Sequence, residues 1–184
     1  MSEEKVVLVN KQDQQIGLMN KQEAHIKGVL HRAFSIFIFN SNNELLLQQR
    51  AHEKYHSPGL WTNTCCSHPR DKESVIDAAN RRLEEEMGMK CNLEKTFYFI
   101  YHAKMPNDLI EHEFDHVFFG FSDSQPKINK DEVVSYKYLS LNNLKKDILE
   151  NPDIYTEWFK ICFSEVLERA KGFNSRLSRN TKPT

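Results

Sequence analysis

The sequence lacks a surplus of either charge. It has 25 lysines and arginines against 26 aspartates and glutamates, and its formal net charge at pH 7 is -1. A protein that attracts nucleic acid or an anionic membrane through its overall field needs a strong basic excess. We therefore expect no nucleic-acid partner and no membrane partner. Any anionic ligand must meet a local cluster of basic side chains.

Long apolar runs are also missing. The first residues, MSEEKVVLVN, carry acids where a secretory signal needs positive charge, and their apolar run is too short for such a signal. No segment approaches the length of a membrane span. The sequence has only four cysteines, which without an export signal favours a reducing, cytoplasmic compartment where cysteines pack in cores, ligate metals or act as thiols.

The chain has room for one hydrophobic core and contains no internal repeat. Its 184 residues, of which 39% are hydrophobic, fall short of what two ordinary domains need. We predict a single domain over residues 1–171. The tail over residues 172–184 has too few apolar side chains to pack, and we predict that it is mobile.

Short apolar runs separated by polar turns predict many strands. We expect strands over residues 6–9, 33–39, 45–50, 97–103, 110–121 and 134–139. The second and third of these flank the polar turn NSNNE and predict a hairpin. The run NKQEAHIKG predicts a short helix that carries Lys21 and His25, and residues 144–171 are expected to be mostly helical with an interruption at Pro152.

One long amphipathic helix is predicted over residues 74–87. Ser74 and Asp77, three residues later, form a capping-box pattern, and Gly88 is typical of a helix end. Apolar side chains recur every four positions, at Val75, Ala79, Leu83 and Met87. This period indicates a helix with one buried face.

The stretch WTNTCCSHPR sets two adjacent cysteines beside a histidine. A disulfide between Cys65 and Cys66 would close a strained ring. A zinc knuckle is also disfavoured, because adjacent cysteines cannot easily both reach one tetrahedral ion and the sequence has no second CxxC pair. Pro69 favours an extended conformation at His68, so Cys66 and His68 are predicted to face the same way.

The stretch IEHEFDH alternates charged residues on a predicted strand. Glu111, Glu113 and Asp115 share one face, and carboxylates roughly 7 Å apart along a strand can close on one cation. A solvated edge strand with outward charges explains the pattern about equally well.

Two histidines lie upstream, His25 and His31. Taken singly, each is more typical of a surface histidine or a hydrogen-bonded core histidine than of a metal ligand. Together with His68, Glu111 and Glu113 they would supply a nitrogen-and-oxygen set that suits Mn, Fe, Zn or Mg.

The 74–87 helix and the residues before it resemble the Nudix signature. On the helix itself, Arg82, Glu85 and Glu86 are typical of an ordinary surface ion pair. The signature positions that fit are Glu73, Arg81, Leu83, Glu85, Glu86, Gly88 and Met89, whereas Ser67 replaces a glycine and Arg82 replaces a glutamate. A Nudix hydrolase uses its carboxylates to hold Mg²⁺ against a diphosphate, and an arginine among them argues against hydrolysis.

The elements SPGLW, WTNTCCSHP and IEHE, with the two upstream histidines, are similar to the type I isopentenyl-diphosphate isomerase family, from about Leu18 to Trp158. The resemblance implies an α+β fold, a Nudix-like α/β/α sandwich in which helices flank a central mixed β-sheet. It also implies a catalytic cysteine at Cys66, not Cys65. The implied metal ligands are His25, His31, His68, Glu111 and Glu113 for one divalent ion (Mn²⁺, Zn²⁺ or Mg²⁺), and Glu86 for an Mg²⁺ that arrives with the substrate diphosphate.

The same resemblance implies the remaining roles. Glu113 doubles as an acid/base opposite Cys66, with Tyr101 as its proton partner, and Trp158 faces a carbocation, with Trp61 as a possible helper. Diphosphate contacts map to Lys21, Arg50, Lys54 and Arg82. The resemblance implies an enzyme that interconverts isopentenyl diphosphate and dimethylallyl diphosphate. Its partner would be a small-molecule prenyl diphosphate substrate, and the protein would be a monomer or a weak homodimer. The alternatives are a Nudix diphosphohydrolase acting on a nucleotide or prenyl diphosphate, and a noncatalytic metal-stabilised binding module.

Overall fold

A computed structural model describes residues 4–54 and 56–180 of the chain, with side chains through residue 173. The strands are β1 Lys5–Val9, β2 Gln15–Asn20, β3 His31–Phe39, β4 Glu44–Arg50, β5 Trp61–Thr62, β6 Cys65–Ser67, β7 Leu93–Lys104, β8 Ile110–Phe121 and β9 Val133–Ser140. The helices are α1 Lys21–Lys27, α2 Val75–Met87, α3 Leu141–Glu150 and α4 Glu157–Asn180, with a 3₁₀ turn at Pro152–Ile154.

The strands form one mixed sheet with β3 near its centre. β3 runs parallel to β8 and antiparallel to β1, β4 and β6, while β7 pairs with β8 and β9 with β4. Because side chains alternate along a strand, β3 supplies both sides of the sheet. The α+β fold with helices on both faces of a mixed sheet is therefore confirmed.

We name the two faces of the sheet after the helices that cover them. On the α2 face, Phe34, Ile36 and Ile38 pack with Leu83 and Met87 of α2. On the α4 face, the apolar side chains come from β3, β8 and α4, and include Phe37, Phe39, Val117, Phe119, Phe159 and Val166. Each face thus has its own apolar cluster. In the described part of the chain, no helix has the length and apolarity to cross a membrane.

The predicted hairpin between β3 and β4 opens after a single residue pair, Phe39 with Leu45. Thr64 occupies the gap: its hydroxyl donates to the carbonyl of Leu46 at 2.6 Å and accepts from the amide of Ile38 at 2.9 Å. The split between β3 and β4 therefore admits the WTNTCCSHP segment into the sheet, where β5 pairs with β4 and β6 pairs with β3.

The predicted 74–87 helix is confirmed. The Ser74 side chain accepts from the Asp77 amide, and Gly88 ends α2 at φ 61°. A Cβ at Gly88 would lie 2.6 Å from the carbonyl oxygen of Lys127, so both its φ and its surroundings require glycine.

Two interpretations need correction, and three strands, β2, β5 and β6, lie outside the predicted ones. The run QIGLMN of β2 carries only a weak strand pattern. β8 is not a solvated edge strand: it lies between β3 and β7, and Glu111, Glu113 and Asp115 are buried. Helix α4 continues past residue 171 to Asn180. The mobility of the tail stays a prediction, and residues 181–184 lie outside the described part of the chain.

Candidate active site

A cavity of about 390 Å³ opens at one end of the sheet. Its lining combines an acid-and-histidine end with a basic end. The lining side chains predicted from the sequence are Lys21, Arg50, Lys54, Cys66, His68, Arg82, Glu86, Tyr101, Glu111, Glu113 and Trp158. His25 and His31 are buried beside them, with their rings 5.9 and 5.1 Å from the ring of His68.

Strand register brings the acid and the thiol to one space. Glu113 on β8 pairs with His31 on β3, and on its other side with Tyr101 on β7. Cys66 on β6 pairs with Ser35, four residues along β3. Cys66 and Glu113 therefore lie on opposite sides of β3 and line the same cavity.

The adjacent cysteines face opposite ways. Cys65 is fully buried in the apolar cluster of the α2 face, while Cys66 lines the cavity. All four cysteines are free thiols. Burial raises the pKa of the Cys66 thiol to about 12, against the opposing charge of Arg50. Burial thus favours the neutral thiol over the thiolate.

A cluster of metal-ligating atoms lies at the acid-and-histidine end. His25, His31, His68 and Glu113 offer ligand atoms that all lie within 4.8 Å of one another. Nε2 of His68 is 2.9 Å from Oε1 of Glu113, and Nε2 of His25 is 3.2 Å from Oε2 of Glu111. Glu111 thus borders the cluster as a fifth potential ligand.

The tautomer of His31 fits a bound cation. Its Nδ1 lies 2.8 Å from the carbonyl oxygen of Val29, which can only accept, so Nδ1 carries the hydrogen. Nε2 then points toward Oε1 of Glu113 at 3.6 Å. Burial lowers the pKa of His31, but the hydrogen bond and charge of Glu113 outweigh burial and raise it. A divalent cation would take the place of that extra proton.

The two glutamates have opposite pKa shifts. Burial raises the pKa of both, but hydrogen bonds from His31 and His68 bring that of Glu113 well below its usual value. Glu111, buried beside the charge of Glu113, has a pKa well above its usual value. Burial also raises the pKa of Tyr101, whose hydroxyl donates to Oε2 of Glu113 at 2.7 Å.

At the basic end, the lysine and arginine side chains are paired with carboxylates. Nζ of Lys21 lies 3.1 Å from Oε2 of Glu4. Lys54 and Arg82 share Glu132, with Nη2 of Arg82 at 3.2 Å from its Oε1. These acids keep the cations at the cavity wall, where the negative charge of a ligand can replace them as partners.

Glu86 is fixed by two side chains. Nη2 of Arg82 lies 2.5 Å from its Oε1, and the buried amide of Gln48 donates to its Oε2 at 2.8 Å.

Arg50 pairs with backbone carbonyls instead of carboxylates, because its guanidinium donates to the carbonyls of His56 and Ser57. The Arg50 guanidinium carbon also lies 5.2 Å from the ring centre of Trp158.

Several lining residues were not predicted from the sequence, and one predicted residue lies elsewhere. Glu4, His56 and Glu132 line the cavity, but nothing in their local patterns marks them. Their role depends on long-range packing that a single sequence does not display. Trp61 lies outside the cavity lining, and Nζ of Lys137 sits 4.3 Å from its ring centre instead.

The chain matches one family model and several curated relatives. The family model described as "NUDIX domain" matches residues 29–159. Curated relatives named "Isopentenyl-diphosphate Delta-isomerase" and "Isopentenyl-diphosphate Delta-isomerase 2" come from Pectobacterium atrosepticum and Photorhabdus laumondii. The first is 51% identical over 95% of this chain and 97% of its own, and the second 56% identical over 86% and 89%. The chain belongs to the isopentenyl-diphosphate Delta-isomerase family, within the Nudix superfamily.

Solved structures show the Nudix fold beyond this isomerase family. A crystal structure of a Deinococcus radiodurans protein aligns with a TM-score of 0.71 at 19% identity, covering 91% of this chain and 99% of that one. A MutT protein from Methanosarcina mazei aligns with a TM-score of 0.61, also at 19% identity, covering 83% and 96%. At such identities the likeness concerns the fold alone.

Proposed function

We propose that this protein interconverts isopentenyl diphosphate and dimethylallyl diphosphate. One observation carries the proposal: Cys66 and Glu113 lie on opposite sides of β3 and face one cavity that has metal-ligating atoms at one end and cations at the other. Membership of the isomerase family supports the same assignment.

The reaction moves a double bond by two proton transfers. A proton adds to the terminal alkene carbon, which leaves a tertiary carbocation, and a second proton then leaves C2. An alkene is a feeble base, so the acid must act in a cavity with little water. Cys66 and Glu113 form the acid/base pair, because groups on two sides of a flat substrate can donate and accept without the substrate turning over.

The acid-and-histidine end would hold one divalent cation. His25, His31, His68, Glu111 and Glu113 are its ligands in this proposal, and the oxygen and nitrogen atoms suit Mn²⁺, Zn²⁺ or Mg²⁺. A cation held there would lower the pKa of a bound carboxyl group and make its proton easier to give. Tyr101, through its bond to Oε2 of Glu113, orients that carboxylate and relays its proton.

Trp158 would stabilise the carbocation. Its ring lines the cavity, and its indole Nε1 donates to Oδ1 of Asn63 at 3.3 Å, which fixes the plane of the ring. An aromatic face stabilises a nearby cation by about 0.5 to 2 kcal/mol. Trp61 lies outside the cavity lining, so no role is proposed for it.

The basic end would bind the diphosphate. Lys21, Arg50, Lys54 and Arg82 line that end, and a diphosphate brings about three negative charges that the net charge of the protein does not balance. Glu86 would bind the Mg²⁺ that accompanies the diphosphate. Arg82 stands where a hydrolase of this fold carries a carboxylate, so the arrangement favours holding the diphosphate intact.

The deciding experiment follows the diphosphate and the double bond together. Purified protein is incubated with isopentenyl diphosphate and Mg²⁺ in deuterated water, and the products are read by NMR. We expect dimethylallyl diphosphate that carries deuterium and an intact diphosphate. Release of phosphate would favour a diphosphohydrolase, and no change in either compound would favour a noncatalytic binding module.

A further inference from the structure

His56 stands between two cavities. The first is the active-site cavity, and the second, of about 420 Å³, lies between the loop after β4, the turn between β7 and β8, and the start of α4. Among the residues that the structure describes, His56 alone lines both. Its imidazole therefore forms part of the wall that separates them.

Neighbours on the active-site side hold the imidazole in place. Its ring centre lies 5.9 Å from that of Trp158, with the planes at 77°. Nε2 of His56 is 3.4 Å from Oε1 of Glu111, and the ring centre is 5.7 Å from that of His25. The side chain is only 9% exposed, so its ring is confined by packing.

The backbone beneath the imidazole is also fixed. The Arg50 guanidinium donates to the carbonyl of His56 at 3.2 Å and to that of Ser57 at 3.1 Å. Ser57 has φ 49°, in the left-handed region, and Pro58 restricts the next position. The wall is therefore attached to β4 through a buried arginine rather than carried on a free loop.

The second cavity suits hydrocarbon. Its apolar lining comes from Pro58, Leu60, Met105, Pro106 and Tyr155. Its charged residues are of both signs, since Lys104 and Lys160 are accompanied by Asp153 and Glu157, and Lys160 pairs with Glu157 at 2.7 Å. Balanced charges give no site for a further anion, whereas an alkyl chain meets carbon on several sides.

We propose that the His56 ring sets the length of the alkyl group that the active site accepts, by closing the second cavity to the substrate. The inference rests on the proposed function. With the diphosphate at Lys21, Lys54 and Arg82, the five-carbon end of the substrate lies among Cys66, Glu113 and Trp158. In that position the branch methyl group would face the His56 wall, because the rings of Trp158 and His56 lie 5.9 Å apart, and a longer substituent would collide with the imidazole.

The test compares two substrates in two variants. One substrate is isopentenyl diphosphate, and the other is its homologue with a propyl group in place of the branch methyl. In His56→Ala, we expect the ratio of kcat/KM for the homologue to that for isopentenyl diphosphate to rise at least about tenfold, since a pocket discriminates by roughly 10- to 200-fold per methylene.

The matched control is His56→Phe, which keeps a ring in the wall but loses the contact with Glu111. We expect this variant to lower kcat/KM for both substrates and leave their ratio at the wild-type value. An equal rise of the ratio in both variants would mean that the contact with Glu111, and not the volume of the ring, sets the limit, and the proposal would be wrong.

A third variant refills the space from the far side. Leu60 lines only the second cavity of the two, and Leu60→Trp should reduce its volume. Added to His56→Ala, it should return the ratio toward the wild-type value, because the two substitutions act on one space and are not additive. A double variant with the same ratio as His56→Ala would show that the homologue does not enter the second cavity.

Binding measurements cover the case in which His56→Ala loses turnover. The dissociation constants of the two diphosphates, measured by calorimetry on protein with a native thermal transition, should show the same change of ratio. Wild-type turnover of isopentenyl diphosphate tests the proposed function separately. A wild-type enzyme that is active, with an unchanged ratio in His56→Ala, contradicts this inference alone.

Discussion

The two faces of the central sheet are built by the same strands but differ in what their side chains do. On the α2 face, β3 contributes Phe34, Ile36 and Ile38 to an apolar cluster, and Phe34 also lines the cavity. On the α4 face, the same strand is apolar at one end, at Phe37 and Phe39, and begins with His31, which is buried beside the cavity residue His68. Alternation along β3 thus supplies apolar side chains to both faces and, at the start of the strand, a histidine to the α4 face.

The change from polar to apolar side chains along the α4 face explains where the cavity lies. β8 is polar where it begins, at Glu111 and Glu113, and apolar further on, at Val117 and Phe119. Because β8 runs parallel to β3, the polar ends of both strands meet at one edge. Helix α4 covers the apolar part, and its first turn brings Trp158 over the polar part.

The largest expected effect comes from Glu113 on the cavity side. In Glu113→Gln, turnover should fall by roughly 10²- to 10⁴-fold, because the carboxylate acts as acid/base. Metal content, measured by elemental analysis, should fall with it, since the cluster loses a charged ligand. The exposed helix residue Glu168 gives the control Glu168→Gln, which should change neither. Full turnover in Glu113→Gln would refute its assigned role.

A substitution in the apolar cluster of the α2 face should lower stability and leave turnover unchanged. Ile38 is fully buried there, and Ile38→Ala should lower the free energy of unfolding by about 2–5 kcal/mol. Turnover per folded molecule should stay at the wild-type value. Denaturant unfolding and kcat measured below the transition check both parts, and Ile38→Leu, which conserves volume, should cost less than about 1.5 kcal/mol. A selective loss of kcat would contradict the division between the faces.

At the basic end of the cavity, the expected effect falls mainly on substrate binding. Lys54→Ala should weaken the binding of isopentenyl diphosphate by about 1.5–3 kcal/mol, the value of a hydrogen bond to a charged group. Kinetics should show this change mainly in KM. Lys137, which lies over Trp61 outside the cavity, provides the control Lys137→Ala. Equal changes of KM in the two variants would argue against a diphosphate site at Lys54.

The smallest expected effect is on stability, from the hydrogen bond between Tyr155, just before α4, and Asp147 on α3. The Tyr155 hydroxyl donates to Oδ2 of Asp147 at 2.5 Å and holds the pKa of that carboxyl below its usual value of 3.8. A depressed pKa contributes stability above the unfolded value, and that contribution is lost as pH falls through the folded value. Tyr155→Phe should therefore lower stability by about 0.5–1.5 kcal/mol at pH 7, and by less at acidic pH. Denaturant unfolding at both pH values measures the difference; an equal loss at both would contradict this linkage.

Local patterns in the sequence predicted much of this division. The period of four and the caps identified α2, and alternation along the strands placed Cys66 with His68 and Glu111 with Glu113. These local inferences were confirmed because they depend on neighbours in the chain, whose geometry the backbone fixes. The roles that the family resemblance implies for the site residues stay predictions.

Features that depend on distant contacts could not be predicted. The gap between β3 and β4 arises from the insertion of Thr64 and its neighbours, which no local pattern near the NSNNE turn shows. The burial of β8 depends on β3 and β7 packing on both sides of it. His56 becomes a wall only because Arg50 and Trp158 meet it from other elements.

The adjacent cysteines allow the most direct test of the account. Deuterium incorporation into isopentenyl diphosphate is measured by NMR for Cys65→Ala and Cys66→Ala, alongside the thermal transition of each. We predict that Cys65→Ala incorporates label and melts at a lower temperature, whereas Cys66→Ala keeps its thermal transition and its metal but incorporates almost none. Label incorporated at the wild-type rate by Cys66→Ala, or lost only in Cys65→Ala, would contradict the account.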